Sequence, residues 1–466
     1  MNLTDYTGLD GVGLATLINS RDVSREEVLD AARAAIETVN PVINAVVEMY
    51  DRSSLEAPPS TGPFAGVPSL RKDIHGEAGR FVEYGSRLSE GLVASETDHV
   101  LERMRSAGVV FLGRSATSEF ALYGTTETTL HGPTRNPWNL AKSAGGSSGG
   151  AAAAVAAGAV PIADASDAGG SIRIPGACCG LVGLKSSRAT PRRARSQGDL
   201  NENVHSILAR SVRDLRAMAV QLGDVVESDV APAVTISSLK VAVSTEPWAP
   251  RSEIAPEIAL AVECVAREIE ELGAVIERAR PTFNEEEYWD ALTIRLCADV
   301  HEQVRAVARI TSRTPSDEFL EPMTMRYFDA GARVTSSDMT RAFLERDRVV
   351  QRVNDFFNRF DLLITPTLQM LPPELGTAGG HDEVSGPLEH VLLGEALAPN
   401  LALFNMTGHP AITVPTAMSE SGLPIGVQLV ARHGMDSLLL RLASELETRL
   451  PWAGRLPVHH VTRVHS

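Results

Sequence analysis

The chain has 466 residues, with 59 Asp and Glu against 43 Lys and Arg, a formal net charge of −16. That balance excludes a non-specific nucleic-acid binder, which needs a basic face; the local cluster Arg188, Arg192, Arg193 and Arg195 reads as a solvated loop. No run reaches the ~18 apolar residues of a membrane span, and the 43% apolar content is that of an ordinary soluble globular protein.

Residues 1–13 lack a basic stretch followed by an apolar one, so no signal peptide is visible. Four cysteines occur: Cys178 and Cys179 in an apolar stretch, Cys264 and Cys297 in helical patterns. None has metal-ligand spacing, so no metal site is expected, and free thiols fit a reducing cytoplasm.

Ser24 opens a helix. Ser24-x-x-Glu27 is a capping box, and Val28, Ala31, Ala35 and Ile36 recur at helical spacing. Pro41 predicts its end near Val39, and 44–47 reads as a short strand. Residues 67–74 carry Lys72 on a strand or at its exit. A helix over 100–107, stopped by Gly108, leads into a buried strand over 109–112. Residues 115–123 read as a helix and 124–144 as a polar loop with two prolines. A helix over 151–157 and a short strand over 159–163 follow.

The next helix is 211–222. Residues 239–244, 256–272 and 274–278 read as strand, helix, strand. A long helix over 337–357 feeds a strand over 362–365. Late strands over 411–415 and 426–430 flank a Ser-Gly-Leu-Pro turn, and a helix over 437–446 ends the series. Segments 314–338 and 375–388, rich in Gly, Ser, Thr and acids, are expected to be looser. No internal repeat is present. This alternation argues for an α/β fold with a mixed or parallel sheet covered on both faces.

Two glycine-flanked serines carry the chemistry. Ser171 lies in Gly169-Gly170-Ser171-Ile172-Arg173. Ser147 lies 24 residues earlier in Gly145-Gly146-Ser147-Ser148-Gly149-Gly150, and Lys72 a further 75 residues upstream in Arg71-Lys72-Asp73. Hydrolysis of an amide or ester needs a nucleophile, a base, a proton for the leaving group and donors for the oxyanion. Ser171 suits the nucleophile. The N–H groups of Ala168, Gly169, Gly170 and Ser171 suit an oxyanion hole, because glycine backbone turns inward without a Cβ clash. Lys72 suits the base only if neutral. A free lysine titrates near about 10.4, so burial or a nearby cation must lower it. Arg71 is adjacent on the strand and points to the other face. Ser147 suits a relay, since a hydroxyl donates and accepts at once.

Gly145 to Gly149 also satisfies G-x-S-x-G, an elbow in which Ser147 itself attacks. That elbow needs a strand directly before it, and 136–143, with Pro137, two Asn and Lys142, is no core strand. His75, three residues after Lys72, reads as a local structural histidine.

These runs, with Asn40-Pro41, Lys72-Asp73, Glu119-Phe120, Asn136-Pro137-Trp138, Thr365-Pro366-Thr367 and the stretches 179–185, 405–410 and 422–429, resemble the amidase signature family over essentially the whole chain. The resemblance implies a single domain over 1–466, a large mixed twisted sheet covered by helices on both faces. Its signature core spans about 65–190, and a more variable substrate-side segment about 280–400. It implies Ser171 as nucleophile, Ser147 as relay on a cis peptide and Lys72 as base, with no cofactor and no metal. Asp167 and Arg173 match a structural pair, with Ser148 near the site. Tyr123, Thr125 and Cys297 are candidates for the acyl pocket. Ala144, Ala168, Arg114 and Ser186 depart from the family's usual residues without touching the Ser–Ser–Lys set.

The segment 322–376 resembles small-amide and oligoamide hydrolases of the 6-aminohexanoate cyclic dimer type. The implied partners are a small amide and water, in a homodimer or other homo-oligomer. Ester and carbamate cleavage share the same oxyanion chemistry. The other reading within the family is a glutamine-hydrolysing subunit of a tRNA-dependent amidotransferase.

Overall fold

The structure, a computed structural model, describes residues 1–55, 61–188, 202–226, 235–248, 253–377, 385–398 and 401–463. The amino-terminal part comprises α1 (Leu3–Thr7), α2 (Gly11–Ser20), α3 (Arg25–Ile43), β1 (Val46–Met49), β2 (Pro68–Lys72), α4 (His99–Ser106) and β3 (Val110–Ser115). Four short strands follow: β4 (Glu127–Thr128), β5 (Gly132–Pro133), β6 (Arg135–Asn136) and β7 (Asn139–Ser143). The middle holds α5 (Gly149–Ala156), β8 (Ile162–Asp167), α6 (Arg173–Cys179), β9 (Val182–Lys185), β10 (Val204–Ala209), α7 (Val212–Leu222), β11 (Lys240–Val243), α8 (Pro256–Glu271) and β12 (Val275–Arg278). Then come α9 (Glu285–Thr311), α10 (Pro322–Gly331), α11 (Ser336–Phe357), β13 (Leu362–Pro366), α12 (Pro387–Leu397), α13 (Leu401–Thr407), β14 (Ala411–Met418), β15 (Pro424–Ala431) and α14 (Asp436–Arg449).

Eight strands form one mixed sheet in the order β12-β11-β13-β15-β14-β9-β10-β8. The β12-β11-β13 end is parallel, and every pair from β13 to β8 is antiparallel. A three-stranded sheet, β1-β3-β2, stands beside β8. Side chains alternate across a strand, and the core divides accordingly. Leu362 and Ile364 of β13, Val241 and Val243 of β11 and Leu429 of β15 join one apolar cluster with α3, α5, α7, α8 and α14. Leu363, Ala242 and Val430, one residue out of phase, join a second cluster with α9, α10, α11 and α13. Both faces are therefore covered, as an α/β fold requires. No helix among the described residues is long and apolar enough to cross a membrane.

Several expectations change. The capped helix α3 continues past Val39 through Pro41 to Ile43, because Asn44 ends it in a left-handed conformation and the Asn40 side chain accepts from the N–H groups of Ala45 and Val46. Residues 115–123 are not a helix. Ser115 ends β3, and only a 3-10 turn at Glu119–Ala121 follows, broken by left-handed Phe120 and Ala121. The loop over 124–144 contains two ribbons, β4-β5 and β6-β7, so a strand does precede the first serine run, but outside the main sheet. The strand expected over 159–163 is β8, shifted to Ile162–Asp167. Segment 314–338 contains α10, held by buried Met323 and Tyr327, and the start of α11. In the other segment, 378–384 lie outside the described residues. Arg188 is buried rather than solvated, donating to the carbonyls of Asn405 and Met406; Arg192, Arg193 and Arg195 lie outside the described residues.

Candidate active site

Lys72 ends β2 with its side chain fully buried. Its Nζ stands 2.7 Å from Ser147 Oγ and 3.0 Å from Ser166 Oγ. Burial strips water from the ammonium and lowers Lys72 to about 7, against the opposing pull of the Asp164 and Asp167 charges. The sequence condition for a base, a lysine neutral near physiological pH, is met by desolvation.

Ser147 is placed by backbone contacts. The Gly146–Ser147 peptide is cis. A Cβ on Gly146 would stand 2.6 Å from the carbonyl oxygens of both Tyr123 and Thr125, so only glycine passes there. Thr126 Oγ1 donates to the Gly145 carbonyl at 2.9 Å and accepts from Gly149 N–H at 3.2 Å. Ser118 N–H donates to the Ser147 carbonyl at 3.3 Å. Ser148 Oγ donates to the Ser166 carbonyl at 3.4 Å, fastening this turn to β8.

Ser171 lies between β8 and α6 and is half-buried, whereas Ala168 and Gly169 are exposed. Gly170 carries φ +125°, a conformation that side chains disfavour. Asp167 organises the turn. Its Oδ1 accepts Gly170 N–H at 2.7 Å, and its Oδ2 accepts Ile172 N–H at 3.2 Å and Arg173 Nε at 2.9 Å. Asn405 Nδ2 donates to Oδ1 at 2.9 Å. Burial would raise the Asp167 carboxyl, but the Arg173 guanidinium overcomes this and holds it well below the usual range. Arg173 also donates to Gln428 Oε1 at 2.8 Å and to the Leu401 carbonyl at 3.1 Å, tying the turn to β15 and α13.

The structure thus joins Lys72 to Ser147, and Asp167 to Arg173, through hydrogen bonds. No hydrogen bond among the described residues joins Ser171 to Ser147 or Lys72. Around Ser171 the walls are aliphatic: a Cβ on Gly170 would meet Leu401 and Ile174, and one on Gly169 would touch Ala402. Tyr123 is buried, its hydroxyl 2.6 Å from Thr324 Oγ1 and its ring edge-on to His390 at 5.4 Å. Thr125 is buried, with its carbonyl against Gly146. Cys297 is buried in α9 where Gly331 packs on its carbonyl, and burial pushes its thiol to about 11. No hydrogen bond among the described residues joins it to the serines or Lys72.

His75 does not face Ser147; its Nδ1 donates to Asp164 Oδ2 at 2.6 Å. Arg71 is buried on the far side of β2, ion-paired with Glu77 at 3.1 Å. Asp73, Glu83 and His131 have metal-ligand spacing, but Arg114 Nη1 lies 2.8 Å from Asp73 and 2.7 Å from Glu83, so a guanidinium already supplies the positive charge there.

Sequence reasoning missed Thr126, Asp164, Ser166 and Asn405. A signal existed for two of them: Asp164 and Ser166 stand two apart in the strand that runs into the nucleophile turn, and so share one face of it. Thr126 and Asn405 reach the site only through tertiary contacts.

Comparison with known proteins agrees with this geometry. Residues 27–440 match the family model described as Amidase. The chain is 35% identical, over 96% of each chain, to a 6-aminohexanoate-cyclic-dimer hydrolase of Pseudomonas sp. (strain NK87). It is 32% identical to an acylamidase of Rhodococcus erythropolis, over 96% of this chain and 97% of the other. A solved structure of 6-aminohexanoate cyclic dimer hydrolase complexed with substrate superposes with a TM-score of 0.86 at 31% identity, covering 97% of this chain and 99% of that one. Neither the elbow esterase nor the amidotransferase subunit is favoured: Ser147 pairs with a lysine, and the relatives that match over their whole length are amide hydrolases. The chain belongs to the amidase signature family and is a hydrolase of amide bonds.

Proposed function

We propose that the protein cleaves small non-peptide amides or oligoamides through an acyl-enzyme on Ser171, with Ser147 and Lys72 moving the proton. The observation that supports this most is the buried 2.7 Å contact between Ser147 Oγ and a lysine lowered to about 7. Ser171 Oγ attacks the carbonyl carbon. Its proton passes to Ser147 Oγ as Ser147 gives its own to Lys72 Nζ. The N–H groups of Ala168, Gly169 and Ser171 stabilise the oxyanion; Gly170 N–H is already held by Asp167, so that residue contributes backbone conformation. The C–N bond then breaks as the proton returns from Lys72 through Ser147 to the leaving nitrogen. Water enters, loses a proton along the same route and releases the acid.

The aliphatic walls from Ile174, Leu401 and Ala402 suit an acyl chain of methylene groups. With the printed names of the relatives, they support the cyclic-dimer type of substrate, with Tyr123 and Thr125 on its acyl side. Esters and carbamates fit the same oxyanion chemistry. The chain works as one domain, in the cytoplasm, where its four free cysteines stay reduced, and as a homo-oligomer whose size light scattering measures.

A panel of linear and cyclic oligoamides, esters and carbamates tests the reading. Wild type should form an acylated species, seen by mass spectrometry at the peptide containing Ser171, and Ser171→Ala should form none. Retained turnover in Ser171→Ala would remove it as the nucleophile.

A further inference from the structure

The catalytic scheme above gives no role to Asp164 or His75, yet both are buried and both are bonded to the Lys72 segment. Asp164 Oδ2 accepts the backbone N–H of Lys72 at 3.0 Å and His75 Nδ1–H at 2.6 Å. The carboxylate is therefore fixed against the backbone of the lysine. Asp164 and Ser166 share one face of β8, and Ser166 Oγ accepts from Lys72 Nζ at 3.0 Å. The face that receives the amine thus carries a negative charge two residues away. Asp164 is fully buried, and its Oδ1 has no hydrogen-bond partner among the described residues. Part of that charge is left without a local donor, in surroundings where charges act strongly.

We propose that Asp164, held in place by His75, is a positioning residue that sets the pH at which Lys72 becomes a working base. Two carboxylates of β8, Asp164 and Asp167, act on Lys72. Asp167 is the weaker of the two, being paired with Arg173 at 2.8 Å. His75 faces Asp164 from the turn after β2. His205 of β10, opposite Ser166 in register, lies edge-on to His75 at 4.7 Å. Burial and Asp164 pull Lys72 in opposite directions. Burial alone makes a lysine that sheds its proton easily and binds one weakly, which is a poor base. The Asp164 charge restores proton affinity, so that Lys72 takes a proton from Ser147 and still begins each cycle neutral.

The proposal rests on Lys72 being the base, so Lys72→Ala is measured beside it. The experiment is the pH profile of kcat/KM for wild type, Asp164→Asn and Lys72→Ala on one amide. Asp164→Asn should move the acid limb to lower pH by about 1 unit, as expected for loss of one nearby opposite charge. It should remain active at its own optimum, whereas Lys72→Ala is inactive throughout. An acid limb that coincides with wild type in an active Asp164→Asn enzyme overturns the proposal and leaves Lys72 as the base. Turnover in Lys72→Ala overturns the base itself. If Asp164→Asn does not fold, Asp164→Ser, which removes the same charge but keeps an acceptor near the Lys72 N–H, is read by the same two outcomes.

Discussion

The corner that holds Lys72 and Ser147 and the helical layer from α9 to α12 are both buried, but by different means. In the corner, short directional contacts fix each part: Thr126 and Ser118 on the serine turn, Asp164 on the Lys72 backbone, and Asp167 with Arg173 under the nucleophile turn. In the layer, Tyr288, Trp289, Val304, Tyr327, Val353 and Phe357 pack by shape, and polar links such as Tyr123 to Thr324 cross it singly. Directional bonds fail when one atom moves by an ångström. Apolar packing tolerates a change of side chain if volume is kept. The proton chemistry and the choice of substrate are thus housed in separable material.

Variants break or sharpen this contrast. The largest effect is expected in the corner: Ser147→Ala and Lys72→Ala should each lower kcat by several orders of magnitude with KM little changed, because relay and base act as one unit. Steady-state kinetics on one amide checks this. Arg173→Met should come next. It leaves the Asp167 carboxylate buried without its cation, a loss of about 3–5 kcal/mol measurable by denaturant unfolding. In the wild type, kcat/KM should fall tenfold per unit as pH drops below about 7, since Lys72 must be neutral to accept the proton.

Effects should be smaller in the layer. Tyr123→Phe removes one hydrogen bond to Thr324, worth about 1 kcal/mol. It should alter KM and the ranking of substrates more than kcat. The smallest effect concerns Glu119, which accepts from Ser86 Oγ at 2.6 Å and from Glu321 N–H at 2.9 Å, and which burial pushes up to about 7. The folded state keeps a proton there that the unfolded chain loses above about 4.5, so stability falls as pH rises through that window. Glu119→Gln should flatten this dependence, as melting temperatures at pH 5 and 8 will show.

The same division governs what could be read from sequence. The glycine–serine runs were legible because close backbone approach leaves a compositional mark, and Lys72 became legible through them. The capping box of α3 and the strand–helix alternation were legible because they are local patterns. The supposed helix over 115–123 was not. Its polar and apolar spacing looks helical, but Phe120 is turned outward from a helical path to stack on Tyr84 at 6.0 Å, a tertiary demand. Helix α10 was missed for the complementary reason: its composition is loop-like, and only burial of Met323 and Tyr327 holds it. The partners of the triad were the least visible. Asp164, Thr126 and Asn405 are common residue types whose roles exist only once distant segments meet.

One feature of the corner bears on how the protein can be handled. Lys72 and Ser147 have no exposed surface, while Ser171 opens beside exposed Ala168 and Gly169. An electrophile arriving from solvent, such as a fluorophosphonate, meets one of the two site serines and is shielded from the other. The protein therefore carries a single reactive handle, and the stoichiometry of labelling counts its working copies directly, even in a crude extract and before any substrate is known.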